Sequence, residues 1–257
     1  MKKLFLYAII PIMTLVVGCG SNLKKQQKQA RLLLEIGSSQ LAKGFYPAAL
    51  KSLQESLRLD DQNPVTYNNL GLAYYVRDRY DKAEFYILKA LELKPDYTEA
   101  RNNLGRVYIA KYEFKKAIFH LKLAVEDLTY TAPEKSHSNL GYAYFKSKQY
   151  DQALIHLKNS LMIRRNRCFT NTIYGQTLFE LKKVDLAIDT LLSSVDLCKN
   201  DVQLKQQAKF YASLGYLKKG QTREATAILD EIVFENHESD YLNNAKKILK
   251  TLSESHK

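Results

Sequence analysis

The chain has 257 residues, 46% of them hydrophobic and 26% charged, with ten glycines, five prolines and no tryptophan. That is an ordinary globular composition, and the length suffices to bury a continuous core. A formal charge of +12 would suit a nucleic-acid partner, but no nucleic-acid-binding module is recognisable and the N-terminal segment argues for export instead.

Residues 1–18 read as a signal peptide. Lys2 and Lys3 make a basic start, and Leu4 to Val17 is an almost unbroken apolar run, short for a membrane span and typical of a secretory signal. The run ends in Leu15-Val16-Val17-Gly18-Cys19, which resembles the bacterial lipobox. That resemblance implies cleavage before Cys19 and lipidation of this cysteine. Several acyl chains on one residue anchor firmly, where a single chain is marginal. A plain signal peptide with a chance cysteine, or an uncleaved anchor, are the other readings. Gly20 follows; an aspartate there would resemble the inner-membrane retention signal, so its absence points to the outer membrane, on the periplasmic face. Residues 19–29 are expected to form a lipidated N-terminus and basic tether carrying Lys24, Lys25 and Lys28, or the start of the first helix. The mature chain from Cys19 would carry 12 − 2 = +10.

From residue 30 to 236 one phrase recurs. Its clearest copy is Tyr67-x2-Leu70-Gly71-x2-Tyr74, then Ala83-x3-Ile87-x2-Ala90, then Pro95. Leu70 and Tyr74 share one helix face, and Ala83, Ile87 and Ala90 share a face of a second helix. Gly71 and Ala83 are small where two helices approach, Val76 to Arg79 form the turn, and Pro95 stops the second helix. The glycines at 37, 71, 105, 141 and 175 are spaced by 34, 34, 36 and 34 residues. A sixth, weaker copy aligns Ser213, Tyr216, Gly220, Ala225 and Leu229. Over residues 237–257, Tyr241, Ala245, Ile248, Leu249 and Leu252 lie on one stripe of a final helix. Period and residue types resemble the tetratricopeptide repeat. The resemblance implies an all-α superhelix of about six hairpins with a C-terminal capping helix and a concave binding surface.

Three cysteines are present, Cys19, Cys168 and Cys198. The last two sit at the start of the fifth hairpin's first helix and the end of its second, points that lie at the same end of an antiparallel hairpin. A disulfide there would close one repeat on itself and contribute roughly 3 kcal/mol in the chain-entropy model, in a compartment where such bonds persist. Two independent small core cysteines are the other reading. No Cys-x2-Cys pair or nearby histidine suggests a metal. The five histidines match no zinc or hydrolase motif, and glycine-rich phosphate loops are absent. No catalytic site and no cofactor is expected.

In a tetratricopeptide array the first helix of each hairpin lines the concave face. Asn69, Asn103 and Asn139 recur two residues before each glycine. A side-chain amide donates and accepts at once, which suits an extended peptide backbone; helix-surface or packing asparagines are the alternative. Tyr75, Tyr142 and Phe145 are candidate groove aromatics, and Arg106 adds preference for an acidic segment. The whole layout resembles the tetratricopeptide lipoprotein pilotins of type IV pili. That resemblance implies a protein or peptide partner in the groove, a secretin subunit, held at the outer membrane by the lipid on Cys19. An adaptor scaffolding peptidoglycan hydrolases or other envelope enzymes is the alternative function.

Overall fold

The structure, a computed structural model, describes residues 4–254, with side chains described for residues 23–254. Cys19, where lipidation is expected, lies outside the described side chains. Thirteen helices make up the described residues: α1 (Leu4–Ala42), α2 (Tyr46–Leu59), α3 (Pro64–Tyr75), α4 (Tyr80–Leu93), α5 (Thr98–Ala110), α6 (Phe114–Glu126), α7 (Pro133–Lys146), α8 (Tyr150–Ile163), α9 (Cys168–Glu180), α10 (Val184–Leu197), α11 (Val202–Lys218), α12 (Thr222–Glu235) and α13 (Asp240–Glu254). The basic segment of residues 24–29 is helical and part of α1. The chain divides into two compact units, Met1–Lys111 and Tyr112–Lys257, so α5 closes the first and α6 opens the second.

Local chemistry explains the helix limits. Pro64 and Pro133 occupy first helical positions, where a missing N–H costs nothing. Asn63 caps α3 by accepting from the Val65 N–H at 2.9 Å, and Asp201 caps α11 by accepting from the Leu204 N–H at 3.0 Å. The turns between odd and even helices share one device. Gly44, Asp78, Tyr112, Lys148, Lys182 and Gly220 all adopt positive φ, between 57° and 81°. Around Asp78, its own N–H donates to the Tyr75 carbonyl and the Arg79 N–H to the Tyr74 carbonyl, both at 3.0 Å. Around Lys148 the matching bonds run from its N–H to Phe145 and from the Gln149 N–H to Tyr144, both at 2.9 Å. This left-handed cap satisfies carbonyls that the helix leaves open.

In unit 1, Leu53, Leu70 and Ile87 are fully buried, with Ala49, Ala73 and Ala83 between them. A Cβ on Gly71 would stand 2.3 Å from Ile87 Cγ1, so the repeat glycine is the price of close approach between α3 and α4. In unit 2, Leu140, Leu157, Leu191 and Leu229 occupy the same kind of site, and a Cβ on Gly141 would meet Leu157 Cγ at 2.6 Å. Ser56 and Ser160 are equivalent small residues of the even helices. Each hydroxyl donates to a backbone carbonyl on the first helix of its own hairpin, Ala30 within α1 at 2.8 Å and Glu134 in the first turn of α7 at 2.7 Å. Helix α13 buries Leu242 and Ala245 against Phe210, Leu229 and Ile232, with Tyr241, Ile248 and Leu249 packed around them. That is the stripe expected of a capping helix.

Candidate functional site

The odd-numbered helices carry every candidate binding side chain, and each unit arranges them in its own way. In unit 1 they form a directional chain of hydrogen bonds across α5, α3 and α1. Arg106 Nη1 donates to Asn103 Oδ1 at 3.4 Å. Asn103 Nδ2 donates to Asn68 Oδ1 at 3.0 Å, and Asn68 Nδ2 donates to Asn69 Oδ1 at 3.3 Å. Asn69 Nδ2 then donates to Ser38 Oγ at 2.8 Å, and the Ser38 hydroxyl donates to the Leu34 carbonyl at 2.7 Å. Asn68 and Asn103 are buried, so their amides are held by the fold. Asn69 is half-buried and has unused donor and acceptor capacity, since an amide offers two of each. The Arg106 guanidinium lies 4.6 Å from the centre of the Tyr75 ring, a cation–π contact, and Tyr75 also leans on Tyr80 at 5.8 Å. Arg106 and Tyr75 are both half-buried, a planar donor fork on an aromatic floor.

In unit 2 aromatic contacts replace the amides. Tyr142 of α7 meets Phe169 of α9 edge-on, with centroids 5.0 Å apart. Phe145 packs on Tyr150 at 5.8 Å, repeating the Tyr75–Tyr80 contact at equivalent positions. The Lys218 ammonium stands 5.0 Å from the Phe179 ring centre, a second cation over a ring of an odd-numbered helix. Asn139 is half-buried on α7.

Sequence reasoning passed over one feature of this unit. His137 Nδ1 and His156 Nδ1 are 3.1 Å apart, and His156 stacks on Tyr144 at 5.6 Å. Burial, then the charges of His137 and Lys122, push His156 down to about 4, and burial also lowers His137. Both imidazoles are therefore neutral at pH 7. The signal was available: 137 lies ten residues before Ser147 and 156 nine after it, and an antiparallel hairpin brings positions on either side of its turn together. At the far end of the next hairpin Cys168 and Cys198 are joined in a disulfide, with Cα atoms 5.0 Å apart. Among the described residues no cluster of three or more His, Cys, Asp or Glu side chains is suited to hold a metal ion.

Stacked antiparallel hairpins with a small residue at each crossing, a left-handed turn cap and a terminal amphipathic helix define a scaffold of the tetratricopeptide-repeat fold. The comparisons agree. Family models described as tetratricopeptide repeat and TPR repeat match residues 64–97 and 37–76. A model described as anaphase-promoting complex, cyclosome, subunit 3 matches residues 110–194. The chloroplastic tetratricopeptide repeat domain-containing protein PYG7 of Arabidopsis thaliana is 40% identical over 72 residues, 26% of this chain and 24% of that protein. The chain thus spans about a quarter of the length of this curated relative. Among solved structures, Pseudomonas aeruginosa pilF superposes with a TM-score of 0.71 at 16% identity, covering 87% of this chain and 99% of that one. PilW, described as a widely conserved type IV pilus biogenesis factor, gives 0.75 at 18% identity, with 84% and 97% covered. YrrB, described as a TPR protein with an unusual peptide-binding site, gives 0.57 at 19% identity, with 76% and 97% covered. At these identities the structures share the fold with this chain.

Proposed function

We propose that this protein is a non-enzymatic, membrane-anchored binding scaffold that acts as a type IV pilus pilotin, assisting a secretin to reach and assemble in the outer membrane. The observation that carries this reading is one of extent. The similarity to the pilF and PilW structures takes in 99% and 97% of those chains and 87% and 84% of this one, which supports a shared layout over most of the fold. The Leu15–Cys19 sequence adds the anchor: acyl chains on Cys19 hold the scaffold at the membrane. The odd-helix face supplies the grip. Arg106 on Tyr75 offers guanidinium N–H groups to a carboxylate or backbone carbonyl of an extended secretin segment. Asn69 keeps one amide hydrogen for the same purpose. In unit 2, Tyr142, Phe145 and Asn139 offer apolar area and an amide.

The test is secretin assembly in a strain lacking the gene and in a Cys19→Ala strain. Loss of heat-resistant secretin multimers from outer-membrane fractions of both is the expected result. Unchanged multimers in both, with no second copy of the gene to substitute, would sink the pilotin reading and favour an adaptor for other envelope enzymes. An Arg106→Glu variant is expected to lower secretin capture by about tenfold while the protein stays folded, because it turns a donor fork into a repelling carboxylate.

A further inference from the structure

The turn-side edge of unit 2 carries a feature that the odd-helix face does not use. A cavity of about 670 Å³ opens between the turn leading into α6 and the turn between α7 and α8. Tyr112 and Phe114 contribute its apolar wall, and Lys115, Lys116, Lys146 and Lys148 surround it. The acidic residue in the lining is Glu113, and Lys116 already pairs with it at 2.5 Å. Lys115, Lys146 and Lys148 are exposed and make no ion pair among the described residues. Three ammonium groups around one apolar hollow repel one another, and a carboxylate-bearing ligand relieves that repulsion.

Tyr112 is the second observation. It is 74% exposed and holds φ of 60°, a backbone region that a bulky residue rarely enters. The equivalent turn positions hold Gly44, Asp78, Lys148, Lys182 and Gly220, and none of these is aromatic. The Tyr112 ring stands edge-on to Phe114, with centroids 6.1 Å apart. A solvated aromatic ring at the lip of an apolar hollow, on a backbone that glycine would fit better, is a costly arrangement for packing alone.

We infer that this cavity is a docking site for an acidic peptide segment of a partner protein, in which one aromatic or large aliphatic side chain sits between carboxylates. The apolar side chain fills the hollow against Tyr112 and Phe114, and the flanking carboxylates reach Lys115, Lys146 and Lys148. The volume falls in the range of specific ligand sites. A flat anionic bilayer would meet the lysines and leave the hollow empty, so a peptide satisfies both features and a membrane only one. The site lies at the turns, bordering the odd-helix face at Lys146, the last residue of α7, and does not rest on the pilotin reading.

The test is fluorescence anisotropy with the full-length protein in non-ionic detergent. The probe is a labelled synthetic peptide with one phenylalanine flanked on each side by aspartates. Two control peptides carry lysines in place of the aspartates, or alanine in place of the phenylalanine. The acidic aromatic peptide is expected to bind about tenfold more tightly than either control and to weaken as salt rises. The Lys115→Glu, Lys148→Glu double variant should weaken it by about tenfold or more. Tyr112→Gly, which suits the left-handed turn and so keeps the fold, should weaken it by about threefold. Equal binding of all three peptides, or binding unmoved by the charge reversal, would overturn the proposal. So would capture of phosphatidylglycerol vesicles through the same lysines with no peptide bound, since that result would make this edge a bilayer contact.

Discussion

In unit 1 the odd helices are laced together by amides. A single chain of donors runs from Arg106 through Asn103, Asn68 and Asn69 to Ser38. In unit 2 the odd helices α7 and α9 meet through rings, Tyr142 on Phe169, while an imidazole pair and a disulfide tie odd to even helices within single hairpins. The contrast lies at matched repeat positions. Arg106 and Tyr142 each follow the repeat glycine by one residue, and Tyr75 and Phe145 follow it by four. The first pair are a charged fork and a ring; the second are two rings, of which only Tyr75 sits beneath a guanidinium. A repeat sets where the backbone stands and leaves the chemistry of each slot to the residue that fills it. Two surfaces of different character follow from that freedom, one polar and directional, one apolar.

Three perturbations sharpen the contrast. The largest effect should come from the covalent bond. Replacing Cys168 and Cys198 with alanine should lower stability by about 3 kcal/mol by restoring loop entropy to the unfolded chain. Amide hydrogen exchange should report the loss in α9 and α10, with protection in α3 and α4 unchanged. Equal loss in both units would show that they unfold as one body. Next comes the amide chain. Asn103→Ala removes the donor to Asn68 and the acceptor of Arg106, leaving polar groups unsatisfied in a buried setting, at a cost of about 2 kcal/mol. Exchange should then rise in α3 and α5 and not in α9. Wild-type protection after that change would mean that water or other side chains take over both bonds.

The smallest effect is set by pH, and it falls on unit 2 alone. All five histidines lie beyond Tyr112. His156 titrates near 4 when folded and His137 is also lowered, against about 6.5 in an unfolded chain. As pH falls below about 6.5 the unfolded chain takes up protons first. Stability is therefore complete above that value and declines towards pH 4, where folded His156 protonates in turn. The pair is half-exposed, so solvent reduces the loss to about 1 kcal/mol. Urea titrations at pH 7 and 4.5, with His156→Gln as reference, measure it. A variant with the same pH dependence as wild type would remove the imidazole pair from the explanation.

Much of the backbone was legible in the sequence. The glycine series located the odd-to-even crossings, and the residues that face them, Ile87, Leu157 and Leu191, are fully buried. The turn read from Val76 to Arg79 is the gap between α3 and α4. The apolar stripe from Tyr241 to Leu249 packs as a cap. These features are local: a hairpin forms from contacts within about 34 residues, so one copy of the motif carries its own instructions. The candidate site was legible only as a set of positions. Asn69, Asn103 and Asn139 look alike in the repeat register, yet Asn103 is buried with its amide donated to Asn68 and Asn69 keeps part of its amide free.

By itself, then, the sequence determined the helical hairpins, their turns, the terminal cap and the placing of Cys168 and Cys198 at one end of a hairpin, because period and small-residue spacing act within a single repeat. Only the tertiary structure decided that Asn103 would bond Asn68, that His137 would meet His156, and that Arg106 would settle on Tyr75. Each of these depends on how neighbouring helices are set against one another and on which rotamer each side chain adopts. The residues between the motif positions control both, and the repeat leaves those residues free to vary.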